Sequence, residues 1–425
     1  MLPISDGTGD SRLCSGGFLS SVGSSNVPSS LGRVSQQQTA PEGLVRTPRH
    51  AQWLELFFDL VMVAFVGVLA HRLHGEPSAF DFATFVVLFF PAWWVWVNVT
   101  ITMNLFGAVV TPRIWVMVSV VMLSVGIMAA AVSEGLGERA WAYAAGNAVI
   151  RLVILIPWWM DGRRAGVPWY RSLTYNGLTA LIWAVSIVVP QPAQFVLWGV
   201  AIGVEILLLA FLGSQRTWLR DTLDIDHIAE RVGLFVVIVF GETILSIIAE
   251  IDQHWTAASG ITAILAFTAI SGLAWAFFQY GARSAEDGWR RMQRVGDMRA
   301  LRDTVMYLPF VLVVGIVMLA AGLGTAVAEA GHPLPVGATV CIVAGIALFY
   351  AANAAIALRY GDSPRSVARW GIAGVLLPFL VVPVADAADA GVVVAAVVLV
   401  VAAMVAMAEI SRRRVRSGRV RSSRS

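Results

Sequence analysis

The sequence contains no lysine, only two cysteines and few charged residues of either sign. All 30 basic residues are arginines, and charged residues make up 13% of the 425 residues, against 58% hydrophobic residues. A soluble domain of this length needs more charge to cover its surface, so the excess apolar surface is expected to face lipid. Cys14 and Cys341 form neither a disulfide framework nor a zinc-binding motif. The composition predicts an all-α polytopic integral membrane protein.

Motifs that indicate enzymatic chemistry are also absent. The sequence has no nucleotide-binding glycine loop, no nucleophile elbow and no HExxH zinc motif. No soluble segment could hold an ATPase, so any transport must use an ion gradient or passive flow. We expect no cofactor, no metal and no nucleic-acid partner. The expected partners are the lipid bilayer and a small ion or solute, and the oligomeric state stays open.

The two ends of the chain differ from the rest. Residues 1–50 are rich in Ser, Gly and Gln, and they lack the apolar core and cleavage site of a secretory signal. Their apolar surface is too small to offset the entropy of ordering, which predicts a disordered cytoplasmic tail. Residues 411–425 are predicted to form a basic cytoplasmic tail.

Long apolar segments make up most of the remaining chain. Crossing a hydrocarbon core of about 30 Å takes about 20 apolar residues in a helix. This count places a first six-helix half in residues 51–220 and a second in residues 221–410. The twelve predicted segments are 53–72, 80–104, 114–133, 139–160, 172–189, 193–213, 228–250, 256–281, 304–328, 335–358, 366–385 and 389–410.

The placement of arginine supports this count. If the N-terminus is cytoplasmic, the inward gaps, the helix ends beside them and the termini hold 27 of the 30 arginines. Arg72 and Arg139 lie on the outside, and Arg151 lies within a segment. The positive-inside rule predicts such an asymmetry. We therefore expect a bacterial inner membrane protein with both termini in the cytoplasm.

The two halves share short sequence patterns. Arg171-Ser172 opens the fifth segment and Arg365-Ser366 opens the eleventh, and a glycine follows each arginine by six residues. Two six-helix halves would have the same orientation, which predicts two parallel pseudo-repeats. Chance similarity at a helix boundary is the alternative.

Charged residues within the segments are few and mostly acidic. A charge near the bilayer centre is costly, so each is a candidate functional residue. Asp59 lies six residues after Trp53, about 9 Å deep at a rise of about 1.5 Å per residue. Asp59 and Glu242 are the main candidates for a cation or proton path. The further candidates are Glu205, Arg151, Arg231, His227, Glu230 and Glu55.

Several of these candidates have plainer interpretations. Glu55 and Glu230 lie in the first turns of their helices, where a carboxylate complements the helix dipole. Arg151 has two equally good interpretations: it is a structural counter-ion to one of the acids, or it contacts a substrate. His227 and Glu230, three residues apart, could ligate a metal, but two ligands without a third are a weak signal.

Trp93, Trp94 and Trp96 form an aromatic cluster toward the middle of the second segment. Tryptophan more often marks the membrane interface. Packing against the interior of the helix bundle is the favoured interpretation, and the alternative is that the cluster lines a cavity.

The motifs together indicate a family. The chain contains Trp53-Leu-Glu55-Leu-Phe57-Phe58-Asp59, Trp93-Trp94-x-Trp96, His227-x-x-Glu230-Arg231-x-Gly233-Leu-Phe235, Gly241-Glu242, Tyr307-Leu-Pro309 and Gly315-Ile. These motifs resemble the bacterial low temperature requirement A (LtrA) family over about residues 50–410. The family is named for a growth phenotype, so the resemblance implies neither a substrate nor a reaction.

Three positions depart from the pattern of that family. The family's Asn-Arg-Phe-Asp reads Asn104-Leu105-Phe106-Gly107, and the expected Asp at the end of the eighth segment is Gln279. A His that often precedes Leu-Pro is Tyr307. These changes argue against a mechanism that requires those charges, although Asp59, Glu230, Arg231 and Glu242 are present.

The leading functional hypothesis is an ion- or proton-coupled transporter, or a cation-conducting pore. Asp59 and Glu242 would be the cation or proton sites, with Arg151 and Arg231 as their partners. One alternative is a noncatalytic membrane component that supports low-temperature growth. Another, less favoured, is a membrane-embedded lipid-modifying enzyme, which would need a nucleophile or a metal site.

Overall fold

The computed structural model describes residues 51–164, 169–213 and 222–422. The predicted N-terminal tail, residues 1–50, lies outside these ranges. Within them the regular structure is helical, apart from one isolated bridge between Pro333 and Asp389. The prediction of an all-helical protein is confirmed for the described residues.

Thirteen helices are labelled here in chain order. Three of them contain a π-helical turn or lead into one, and α1 and α12 include short 3₁₀ turns. The helices are α1 (Trp53–Ala70, extended by His71–Leu73), α2 (Ala79–Phe106), α3 (Pro112–Ala131), α4 (Ala140–Arg164), α5 (Trp169–Ser172, the π turn Leu173–Gly177 and Leu178–Ser186), α6 (Ala193–Gly213), α7 (Ile225–Gln253), α8 (Ala257–Ala276, then the π turn Phe277–Ala282), α9 (Arg283–Val295), α10 (Met298–Arg302, the π turn Asp303–Tyr307 and Leu308–Ala328), α11 (Val336–Arg359), α12 (Pro364–Leu376, Leu377–Val381 and Val382–Ala385) and α13 (Ala390–Ser422).

Ten of these helices are long and apolar enough to cross a membrane, counted over the described residues: α1 to α4, α7, α8 and α10 to α13. The chain is therefore a multi-pass membrane protein. The other two predicted segments, 172–189 and 193–213, coincide with α5 and α6, and the apolar part of α6, Ala193–Leu208, is shorter. A total of twelve spans and a division into two repeats remain predictions.

Polar residues in the short connections cap the first turns of several helices. Ser78 forms a capping box with Asp81 at the start of α2. The side chain of Thr111 caps the start of α3. The next residue, Pro112, suits the first helical turn, because amide hydrogens in that turn have no partner within the helix and proline lacks one. The carboxylate of Asp224 accepts a hydrogen bond from the backbone of His227 at 3.2 Å and so begins α7.

Helix α10 is the central helix of the bundle. It packs against α11, α7, α8 and α1, and 89% of its most hydrophobic stretch is buried. It approaches α11 closely at two glycines. A Cβ atom on Gly315 would lie 2.8 Å from the carbonyl oxygen of Gly345. Small residues at such crossings let the two backbones meet.

Helix α9 is amphipathic and lies between two membrane-crossing helices, where the sequence analysis placed only a basic loop. Trp289 and Met292 are buried, and the Trp289 indole donates a hydrogen bond to the hydroxyl of Thr304 at 2.9 Å. Gln293 donates to the carbonyl oxygen of Leu223 at 3.0 Å, just before α7 begins. The helix therefore braces the start of α7 against α10.

Candidate functional site

Four charged or titratable residues meet where α1 and α7 pack side by side. Glu55 and Asp59 lie one turn apart on α1, and His227 and Arg231 lie one turn apart on α7. Arg231 Nη2 is 2.6 Å from Asp59 Oδ1, and its Nη1 is 3.2 Å from Glu55 Oε1. His227 Nε2 is 3.1 Å from Glu55 Oε2. We call these four residues the charge cluster.

The charge cluster is sealed from solvent. The side chains of all four residues are 0% exposed. Asp59 Oδ1 also accepts a hydrogen bond from the indole nitrogen of Trp96 at 2.7 Å. By contrast, Asp59 Oδ2 and Arg231 Nε have no hydrogen-bond partner among the described residues. Asp59 and Arg231 thus each keep at least one unused polar atom in a dry environment, where such groups are costly.

Asn104 determines which nitrogen of His227 carries the proton. The backbone amide of Asp224 donates to Asn104 Oδ1 at 3.0 Å, and Asn104 Nδ2 donates to the Asp224 carbonyl oxygen at 2.8 Å. These two bonds fix the orientation of the Asn104 amide. Its Nδ2, 3.0 Å from His227 Nδ1, must therefore donate to that nitrogen. His227 Nε2 therefore carries a proton and donates to Glu55.

The two acids of the cluster share one guanidinium. Glu55 and Asp59 both face Arg231. Asp59 Oδ2 has no hydrogen-bond partner among the described residues, so it is the atom of the cluster at which a proton or a cation would bind.

The aromatic cluster connects α2 to three other helices. The indole nitrogen of Trp93 donates to the carbonyl oxygen of Met306 in the π turn of α10, at 2.6 Å. Trp94 donates to the hydroxyl of Tyr175 in the π turn of α5, at 2.9 Å, while Trp96 reaches Asp59. All three rings are at most 1% exposed, which confirms that they pack in the bundle interior. Buried indoles usually need such a polar partner.

A second feature lies further along the same two helices. A cavity of about 240 Å³ opens between α1, α7 and α10. We call it the Glu242 cavity. Its lining is mostly apolar, with a few polar groups contributed by α1 and α7. The polar or titratable lining residues are His71, His74, Glu242, Thr243, Ser246, Glu250 and Gln253.

Glu242 has no hydrogen bond or ion pair to any residue that the structure describes. Its carboxylate lies against Gly67 of α1. A side chain at residue 67 would overlap this carboxylate. Helix α7 begins at Ile225 and ends at Gln253. Along the helix axis, Glu242 lies about 25 Å from the first of these residues and about 16 Å from the last. A carboxylate without a protein partner therefore lies near the middle of a membrane-crossing helix.

The far end of the cavity is lined by two histidines and a second glutamate. His74 Nδ1 is 3.3 Å from Glu250 Oε1, and the rings of His71 and His74 are 5.3 Å apart. His71 is exposed, whereas His74 is half-buried. Burial lowers the pKa of His74 from its ordinary value, although Glu250 opposes this effect.

A dry layer separates the cavity from the charge cluster. It consists of apolar side chains that are at most 2% exposed: Met62, Val63 and Val66 on α1, and Phe235, Val236 and Val239 on α7. Val63, Val66 and Val239 also line the cavity. Asp59 and Gly67 are separated by about 12 Å along α1. The three α7 candidates His227, Arg231 and Glu242 are therefore divided between two environments.

Arg151 and Glu205 form a separate pair between α4 and α6. Arg151 Nε and Nη2 lie 2.5 and 3.0 Å from the two carboxylate oxygens of Glu205, and Nη1 donates to Asn147 Oδ1 at 2.9 Å. The guanidinium also lies 5.3 Å from the ring centre of Trp183. The expected pairing of Arg151 with Asp59 or Glu242 is wrong, and the counter-ion interpretation describes this contact.

The remaining candidates lie beside the charge cluster. Glu230 accepts a hydrogen bond from the backbone of Ala51 at 3.0 Å. Glu55 does cap its own helix, since it accepts from the backbone of Gln52 at 2.9 Å, but it also binds the α7 side chains. His227 uses one ring nitrogen for Glu55 and the other for Asn104. The described residues contain no group of three or more potential metal ligands.

The sequence analysis did not identify the roles of Asn104, His74 and Glu250. Asn104 was noted only as the first residue of the altered Asn104-Leu105-Phe106-Gly107 pattern, and its partner is the backbone before α7, which is distant in sequence. Glu250 lies eight residues after Glu242, and Ser246 lies midway, so a helical stripe was visible. Tyr307 stacks on Trp94, with ring centres 5.7 Å apart.

Comparison with known proteins identifies the family. The family model described as bacterial low temperature requirement A protein (LtrA) matches residues 50–407. The chain belongs to the LtrA family. An uncharacterized protein of Rhizobium meliloti (strain 1021) is 29% identical over 303 residues, which cover 68% of this chain and 71% of that protein. The matched range contains both the charge cluster and the Glu242 cavity, so both features lie in the part of the chain that defines the family.

Proposed function

We propose that this LtrA-family protein is a membrane transporter or a cation- or proton-conducting protein whose path follows the packed helices α1 and α7. The observation that carries the proposal is Glu242, a carboxylate near the middle of a membrane-crossing helix with no partner among the described residues and a cavity in front of it. An unpaired acid at such a depth is costly and usually functional. A transported cation or proton would supply the missing charge.

The size and lining of the cavity limit what it can bind. A volume of about 240 Å³ is below the usual range of about 300 to 1,000 Å³ for drug-sized ligands. No arginine lines the cavity, and its acidic side chains favour a cation over an anion. A small cation or a proton fits this environment best.

In this proposal, the charge cluster and the dry layer above it close the path at one end. Arg231 bridges Glu55 and Asp59 and so holds α1 and α7 together. Addition of a proton or cation at Asp59 Oδ2 would weaken the attraction to Arg231 and favour separation of the two helices. Asp59 is then the second site on the path, while Arg151 and Glu205 lie outside it.

The proposed location is the bacterial inner membrane with both termini in the cytoplasm, as the arginine asymmetry indicates. The charge cluster lies near the starts of α1 and α7 and would face inward. The Glu242 cavity lies toward their ends and would open outward. We refer to these as the inner and outer ends below.

Flux measurements on purified protein in proteoliposomes test the proposal. Movement of H⁺, Na⁺ and K⁺ is recorded under an imposed gradient for the unmodified protein and for Glu242→Gln, with Glu409→Gln on α13 as a matched control. Glu409 lies near the end of the membrane-crossing part of α13, Ala390–Ile410. We expect flux of at least one of these ions, loss of that flux in Glu242→Gln, and retention in the control. Equal flux in Glu242→Gln, or no flux from folded protein, contradicts the proposal, and the latter favours a noncatalytic membrane component.

A further inference from the structure

Titratable side chains continue from Glu242 to the outer end of the cavity. The rings of His71 and His74 are in contact, and His74 reaches Glu250. His71 and Glu242 line the same cavity. Alternating carboxylates and imidazoles of this kind are typical of proton relays in membrane proteins.

Among the described residues, no lysine or arginine lines the cavity. Helix α1 contributes His71, the residue after its end is His74, and α7 contributes the two glutamates together with Thr243, Ser246 and Gln253. From α10 the lining residues are Val317, Ala320 and Ala321, none of which titrates. Two further basic residues lie nearby without lining the cavity: His254, 3.6 Å from Glu250, and Arg72, which donates to the carbonyl oxygen of Val132 at 3.2 Å.

We infer that the translocated ion is the proton and that Glu250, His74 and His71 pass it from the outer surface to Glu242. This inference rests on the proposed function and specifies its ion. A proton from bulk water reaches the outer glutamate and the histidines, and each imidazole takes up one proton at one nitrogen and releases one from the other. The last transfer converts the Glu242 carboxylate to a neutral carboxylic acid.

The environment of the relay suits a proton better than a metal cation. Bound Na⁺ or K⁺ would need several oxygen ligands around one point, whereas the two acids here lie two helical turns apart, with Ser246 midway between them and valine and alanine side chains in the walls. The cavity has room for roughly eight water molecules at about 30 Å³ each, enough to bridge the gaps between the side chains. Because burial lowers the pKa of His74, this imidazole is mostly neutral near pH 7 and free to accept a proton.

The test is proton entry into proteoliposomes that contain a trapped pH-sensitive dye, with K⁺ and valinomycin setting the membrane potential. The variants are His74→Ala, His71→Asn and Glu242→Gln, and the matched control is His332→Asn, an exposed histidine between α10 and α11. We expect Glu242→Gln to abolish proton entry and His74→Ala to slow it by about a hundredfold. The control should retain the original rate.

External imidazole distinguishes a relay from a structural role. Imidazole added to His74→Ala liposomes should restore part of the proton flux, because it can replace the missing proton carrier. Failure of this rescue in folded His74→Ala overturns the relay. Flux of Na⁺ or K⁺ that requires Glu242 but is unchanged in both histidine variants also overturns it, while the proposed function stands. The absence of any cation flux from folded protein overturns both.

Discussion

Glu205 and Glu242 are both glutamates within apolar helices, and they differ in what faces them. Glu205 has both carboxylate oxygens bound by Arg151. Glu242 has Gly67 and a cavity opposite it. A buried carboxylate with a complete set of partners stabilises one arrangement of the helices, whereas an unpaired one is available for exchange.

The position of the Glu242 carboxylate depends on Gly67. A methyl group there would overlap the carboxylate, which is the far end of a flexible side chain and can move aside. We expect Gly67→Ala to fold and to lower flux by about tenfold or more, because the acid is displaced from the path. Gly126→Ala on α3, where the added atom meets open space, is the matched control. Full flux in Gly67→Ala would contradict a role for the precise position of this carboxylate.

Arg151 and Glu205 should behave as a structural pair. Removal of either partner leaves a buried charge, so Arg151→Met and Glu205→Leu are each expected to destabilise the protein by about 3–5 kcal/mol. The double variant should recover most of that loss and keep its flux. Thermal unfolding in detergent and flux in proteoliposomes check both points. A folded double variant without flux would place this pair on the path after all.

Substitutions in the charge cluster should affect stability as those of the Arg151–Glu205 pair do, but they should also affect flux. We expect Arg231→Met to lose about 3–5 kcal/mol of stability because two buried carboxylates remain without their guanidinium. Adding Glu55→Gln and Asp59→Asn should restore much of the unfolding temperature, because no charge remains to be compensated. The restored variant should still lack flux, since its exchangeable groups are gone. Normal flux in that variant would show that the cluster is only a structural clamp.

At the scale of helices, the apolar segments were predictable because a membrane-crossing helix needs a long apolar run. The π turns and the amphipathic α9 were not predicted. Each depends on contacts between distant segments, such as the bond from Trp93 to the Met306 carbonyl and the packing of Trp289 near Thr304. Periodicity within one segment carries no information about such partners.

The crossing of α10 and α11 offers a test at this scale. Gly315 and Gly345 bring the two backbones so close that an added Cβ atom would lie within 3 Å of backbone atoms, which cannot move aside like a flexible side chain. We expect Gly315→Ala to lower the free energy of unfolding by about 1–3 kcal/mol through overpacking. Gly260→Ala on α8, where nothing lies near the added atom, should have little effect. Equal unfolding temperatures for the two variants would contradict the close crossing.

For the whole molecule, the sequence predicted a polytopic helical membrane protein of the LtrA family, and both points are confirmed. Asp59, Arg231 and Glu242 were identifiable as candidates because charge within an apolar segment is rare. Their partners were not, because pairing depends on which helices touch. Arg151 illustrates the difference: its depth was predictable, whereas its pairing with Glu205 required the packing of α4 against α6.

The central claim is that Glu242 is reached from one side of the membrane only, through a cavity that ends at a dry layer above the charge cluster. The most direct test labels single cysteines with a small, membrane-impermeant cationic thiosulfonate, after replacing Cys14 with Ser and Cys341 with Ala. We predict that Ser246→Cys, in the cavity wall, reacts from the outer end alone, and that Val236→Cys, in the dry layer, reacts from neither side. Reaction of Ser246→Cys from the inner end, or from neither end, would contradict the account.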